Sequence, residues 1–119
     1  MTDSVTIYHN PRCSKSRETL TLLKDNGIAP EVVLYLDTPP DAATLSKLIK
    51  MLGLGSAREL MRQKEDLYKS LNLADSQLSE EQLIQAMVEN PKLIERPIVV
   101  HNGQARIGRP PEQVLEIVR

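Results

Sequence analysis

The chain has 119 residues, a formal net charge of −1, 40% hydrophobic residues, neither Trp nor Phe, and one cysteine. That length suits one domain spanning 1–119, with an ordinary core of Leu, Ile, Val, Met and Tyr. The near-neutral charge gives no electrostatic case for nucleic acid or an anionic membrane, and no apolar run approaches spanning length. No charged n-region followed by an apolar h-region opens the chain, and a lone cysteine makes no internal disulfide, so a reducing cytoplasm is the expected setting.

Val5-Thr6-Ile7-Tyr8 alternates apolar and polar residues, the period of a strand. Next comes His9-Asn10-Pro11-Arg12-Cys13-Ser14-Lys15-Ser16-Arg17, a strand-to-helix transition holding the cysteine. Pro11, Ser14 and Ser16 mark the turn and helix start, Leu20, Leu22 and Leu23 supply an apolar stripe, and Gly27 a stop. Cys13 is therefore expected at a helix N-terminus, where unpaired N–H groups and the macrodipole favour a thiolate, the reactive form of cysteine. Arg12, Lys15, Arg17 and His9 lie nearby in sequence. A free cysteine is often a small buried hydrophobe, but these neighbours suit a core badly.

Glu31 to Tyr35 is a β-branched run that reads as a buried strand, completing a parallel βαβ unit. Thr38-Pro39-Pro40-Asp41 leads into a helix with Leu45, Leu48, Ile49 and Leu52 on one face, closed by Gly53 and Gly55. Ser56 to Glu59 has capping-box spacing before Leu60 and Met61, with Arg62 at the end of that short helix. Leu67 and Leu71 fit another short helix within Asp66 to Leu73. Ser79 to Gln82 forms a second capping box before Leu83, Ile84, Met87 and Val88, and Asn90-Pro91 ends that helix. Arg96 to His101 reads as a strand, Asn102-Gly103 as a type I′ turn, and Ala105 to Ile107 as the return strand. A last helix is predicted from Pro111 to Arg119, with Val114, Leu115 and Val118 inward and His101 solvated. The order predicts an α/β fold: a mixed four-stranded, thioredoxin-type sheet with flanking helices. A helical insertion separates the βαβ unit from the hairpin.

Three arginines sit at element boundaries, Arg62, Arg96 and Arg109. Guanidinium forks hold tetrahedral oxyanions well, but arginines at element ends are also ordinary solvated charges, and spacing does not separate the two. Pro97 starts a strand either as an unremarkable residue or in a cis bond, found in about 5–6% of X–Pro linkages. Position 16 is serine, so no Cys-x-x-Cys dithiol exists. Arginine follows Cys13 at the fourth place and not the sixth, so the phosphatase loop is missing. One cysteine and two distant histidines make a poor zinc site, and no metal is expected.

The stretch from His9 to Arg17 resembles the catalytic motif of the glutaredoxin-linked arsenate reductases. The resemblance continues through Tyr35-Leu36, Pro39-Pro40, Leu60-Met61-Arg62, Leu83-Ile84, Glu95 to Val100 and Gly108-Arg109-Pro110, covering about residues 4 to 118. It implies a thioredoxin-like fold, Cys13 as nucleophile, His9 keeping that thiol ionised, Arg62, Arg96 and Arg109 as oxyanion ligands, and a cis bond before Pro97. It also implies reduction of arsenate or a similar oxyanion by a cytoplasmic monomer with no bound cofactor. Glutathione would be the co-substrate and glutaredoxin the protein partner, so the resolving thiols come from outside, in keeping with the single cysteine. The alternatives within the family are thiol transfer to another oxyanion or to a protein thiol, and a Spx-type regulator that binds a protein partner. Ser16 departs from the regulators' Cys-x-x-Cys switch.

Overall fold

The computed structural model describes residues 4–118, so Arg119 of the expected last helix lies outside the described residues. The chain divides into two compact units, residues 4–38 with 96–118, and residues 39–95. Among the described residues no helix is long and apolar enough to cross a membrane.

The first unit holds a four-stranded sheet in the order β2-β1-β3-β4. β1 (Val5–Tyr8) runs parallel to β2 (Glu31–Val33) and antiparallel to β3 (Ile98–His101), which pairs with β4 (Gln104–Ile107). The Asn102-Gly103 hairpin forms as its residues require, with φ of 53° and 77°. Helix α1 (Ser14–Asp25) links β1 to β2. Its end is a Schellman motif: Ile28 N–H donates to Leu23 C=O and Gly27 N–H to Lys24 C=O, with Gly27 at φ 78°. Val5 and Ile7 from β1, Leu23 from α1, Val99 from β3 and Val114 and Ile117 form one core. Each such side chain contributes roughly 1.5–3 kcal/mol by leaving water.

Three expectations for this unit are corrected. The strand predicted over Glu31–Tyr35 ends at Val33, and it is a sheet edge instead of a buried strand. With a neighbour on one side only, Val32 and Leu34 stay exposed, and the Leu34 carbonyl accepts from Asp37 and Thr38, turning the chain away. The last helix starts as a 3-10 turn, Pro111–Val114, before α5 (Leu115–Val118). The tighter winding shifts the phase, so Ile117 is buried where Leu115 was expected. His101 is only partly exposed, and its Nδ1 donates to the Ile117 carbonyl at 2.6 Å.

The second unit is helical: α2 (Ala42–Leu52), a 3-10 turn Ala57–Leu60, α3 (Asp66–Ser70), α4 (Glu80–Glu89) and a 3-10 turn Pro91–Leu93. Asp41 caps α2 through Thr44 N–H, and Ser79 and Gln82 form the expected reciprocal box on α4. Ser56 accepts from Arg58, not Glu59, and the Glu59 carboxylate instead accepts from Gly55 N–H. Glu80 completes that helix start by accepting from Ala57 N–H and Ser56 O–H. The short helix expected within Asp66 to Leu73 ends at Ser70, so Tyr68 and Leu73 are buried while Leu71 is exposed.

Candidate active site

The loop between β1 and α1 is held by its own polar groups. Asn10 does most of this: its carbonyl accepts from Cys13 N–H at 3.0 Å, its side-chain oxygen accepts from Arg12 N–H, and its own N–H donates to Ser16 Oγ. Arg17 Nη1 donates to the Pro11 carbonyl at 3.0 Å. Cys13 occupies the N-cap of α1 in extended conformation, with φ −94° and ψ 125°. In that place a capping oxygen would accept from the first-turn N–H groups, and here a sulfur faces them.

Two arginines join the cysteine from the neighbouring strands β3 and β4. Arg109, just after β4, places Nη2 at 3.7 Å from Cys13 Sγ, while its Nε donates to the Arg96 carbonyl at 2.9 Å. Arg96 is buried, and the Arg96–Pro97 peptide is cis, as is Arg109–Pro110. Burial by itself pushes the Cys13 thiol up. The Ser16 N–H, the Arg96 charge, the Lys15 N–H and the Arg109 charge outweigh it, and the thiol lies below its ordinary range. The strand ends explain why the groups meet. β1 and β4 end, and β3 begins, at the same end of the sheet, which brings residues 9–13, 96–97 and 108–110 together.

His9 sits behind this loop. It is buried, and a 2.6 Å hydrogen bond joins its Nδ1 to Ser16 Oγ. Burial, and then the charges of Arg17 and Lys24, lower its pKa, so the imidazole is held neutral. It therefore brings no positive charge to the loop; its hydrogen bond goes to Ser16, whose N–H faces the Cys13 sulfur. Arg62 belongs to the other unit. It follows the 3-10 turn rather than ending it, donates its N–H to the Leu93 carbonyl, and pairs its guanidinium with Glu65 at 3.0 Å.

Two further residues support the site. Ser16 is fully buried and binds both His9 and Asn10. Extending the stripe of Leu20 and Leu23 back by one turn would have placed it on the inward face. Gly108 donates its N–H to the Pro97 carbonyl and lies against Thr19. A Cβ there would sit 2.5 Å from Thr19 Oγ1 and 2.8 Å from Pro97 Cγ, so no larger residue fits unless its neighbours move.

The chain is similar to known proteins along nearly its full length. The uncharacterised protein YfgD of Escherichia coli (strain K12) is 81% identical over 99% of both chains. An arsenate reductase of Neisseria meningitidis (serogroup A) is 54% identical over 92% of this chain and 94% of its own. A solved structure of an arsenate reductase from Vibrio cholerae superposes with a TM-score of 0.96 at 65% identity, covering 98% of this chain and 99% of that one. The α/β fold is thus thioredoxin-like, as its strand order indicates. The profile of the ArsC family matches residues 8–117, from the end of β1 through the Cys13 loop and both arginines at its side to α5, and the chain belongs to that family.

Proposed function

We propose that this chain is an oxidoreductase that reduces arsenate to arsenite through Cys13, with glutathione and glutaredoxin as reductants. The observation that carries the proposal is the Arg109 guanidinium 3.7 Å from a thiol whose pKa is lowered. A nucleophile that must attack an anion needs such a cation beside it. The arsenate reductases among the relatives support the choice of oxyanion.

In this scheme the Cys13 thiolate attacks arsenic, an S–As bond forms, and one arsenate hydroxyl leaves with a proton as water. Arg96 and Arg109 bind the oxyanion and offset its repulsion from the thiolate; Arg62 is the third ligand by family position. His9 tunes the thiolate through Ser16, and Pro97 shapes the arginine side of the site. Glutathione then replaces a second hydroxyl on arsenic. A glutaredoxin thiol attacks the glutathione sulfur, forming a mixed disulfide and leaving the As–S electron pair on arsenic. Hydrolysis of the Cys13–arsenic(III) bond releases arsenite and restores the thiol. Both electrons come from external thiols, so the chemistry needs no bound cofactor or metal. The protein would act as a cytoplasmic monomer.

The test is arsenate-dependent NADPH oxidation coupled through glutathione reductase, with glutathione and glutaredoxin present. Turnover should be lost by about a thousandfold or more in Cys13→Ser and should vanish when either thiol partner is omitted. Turnover retained in the mutant rejects the nucleophile. Rapid alkylation of Cys13 without arsenate turnover would point to another oxyanion.

A further inference from the structure

A groove of about 360 Å³ runs beside the Cys13 loop, between Pro11 and Arg12 on one wall and Leu34, Leu36 and Asp37 on the other. We propose that it is the subsite for the small thiol co-substrate, a zwitterionic peptide thiol such as glutathione. The proposal rests on the arsenate reading and adds where the second thiol binds.

Position is the first argument. Leu34 to Asp37 follow β2, so the sheet order places the groove on the β2 side of the loop and the Arg96–Arg109 pair on its β3–β4 side. An oxyanion bound by those arginines leaves the β2 side open. Arg12 immediately precedes Cys13, so the wall of the groove is continuous with the nucleophile.

Chemistry is the second argument. A peptide thiol of this kind carries carboxylates, an ammonium and a short apolar stem ending in sulfur. Arg12 offers a guanidinium fork for a carboxylate, and Asp37 offers an acceptor for the ammonium. Among the described residues neither of these side chains has a hydrogen bond or ion pair within the protein. Leu34 and Leu36, 40% and 38% exposed, would cover the stem. The volume lies at the small end of the range for ligand sites. From this groove the thiolate of the co-substrate attacks arsenic in the Cys13 adduct. One As–S bond forms, one As–O bond breaks, and the hydroxyl leaves as water; arsenic remains pentavalent until the glutaredoxin thiol takes the glutathione sulfur.

S-methylglutathione, which binds but cannot react, tests the site by amide NMR titration of the full chain. Shifts should concentrate on the amides of Asn10, Arg12, Leu34, Leu36 and Asp37, and Arg12→Glu should raise the apparent Kd about tenfold. Shifts confined to residues 96–109, no shifts at millimolar ligand, or an unchanged Kd in Arg12→Glu would overturn the proposal. Arsenate turnover by the unaltered protein is scored separately. Groove shifts without turnover would support the subsite while removing arsenate; turnover without groove shifts would remove the subsite alone.

Discussion

Replacing Gly108 with alanine should damage the site without touching any reacting group. The added Cβ would fall 2.5 Å from Thr19 Oγ1 and 2.8 Å from Pro97 Cγ, where real Cβ contacts essentially never come below 3.0 Å. Neither neighbour yields easily, because Thr19 is fully buried with its hydroxyl bonded to the Lys15 carbonyl at 2.8 Å, and Pro97 is buried too. Overpacking of this kind costs about 1–3 kcal/mol. The smaller unfolded-state entropy of alanine returns about 0.4–1 kcal/mol, because Gly108 is not among the positive-φ glycines. A net loss of about 1–2 kcal/mol should lower Tm by roughly 4–10 °C in a chain of this size. Moving Pro97 also moves the Arg96 carbonyl that holds Arg109 Nε, so Arg109 should drift from Sγ. Thermal unfolding followed by circular dichroism, beside the pH profile of Cys13 alkylation, reads both effects. A Tm within 1 °C of the unaltered protein and an unchanged alkylation profile would refute the packing argument.

Ser16→Ala removes the partner shared by His9 Nδ1 and Asn10 N–H, and should cost about 1–3 kcal/mol in denaturant unfolding; Ser16→Thr, which keeps the hydroxyl, should recover part of that loss. Arg109→Ala removes one of the charges that lower the Cys13 thiol, so the midpoint of its alkylation profile should move toward the ordinary cysteine value. A midpoint that stays in place would remove Arg109 from the ionisation of Cys13. A group whose folded pKa is depressed stabilises the fold above its unfolded pKa and loses that contribution as pH falls through the folded value. The unaltered protein should therefore gain stability over Cys13→Ser as pH rises from the depressed pKa to about 8.5, measured by urea unfolding across that window. Sulfate, a tetrahedral anion, should raise the alkylation midpoint by competing for the same guanidinium; an unaffected midpoint would mean that anion and thiolate do not share it.

Local signals were the most legible part of the chain. Asn102-Gly103 specifies its hairpin because both residues tolerate positive φ, and Ser79 with Gln82 specifies a helix start through two reciprocal hydrogen bonds between residues three apart. The placement of Cys13 at a helix N-terminus follows from the same kind of local chemistry. Burial was harder to read, since it depends on which neighbours a segment finds. Glu31 to Tyr35 has the composition of an interior strand, yet the sheet order leaves it at the edge. Leu71 shares helical spacing with Leu67, but α3 ends at Ser70 and Asn72 turns the chain at φ 54°, so Leu73 takes the inward place. Ser16 was legible only as a polar helix-start residue. Its burial comes from a partner seven residues earlier, on a different element.

The site also explains why one cysteine can stand without a resolving partner on its own helix. In a Cys-x-x-Cys arrangement the second thiol would occupy position 16, one turn along α1. Here that position holds a hydroxyl turned inward to His9 and Asn10, so it anchors the loop that presents Cys13 rather than competing for its sulfur. The neutral His9 behind it adds no charge, and the cations come instead from the opposite end of the chain, through Arg96 and Arg109. The loop thus fixes the direction of the thiolate, and its charge is favoured by the Ser16 and Lys15 N–H groups together with the two arginines. Because Arg109 is aimed by a backbone carbonyl of Arg96, its position depends on the β3–β4 hairpin and not on α1. Replacing the Ser16 side chain, which leaves that backbone N–H in place, should then perturb geometry more than ionisation, and changes at position 109 the reverse.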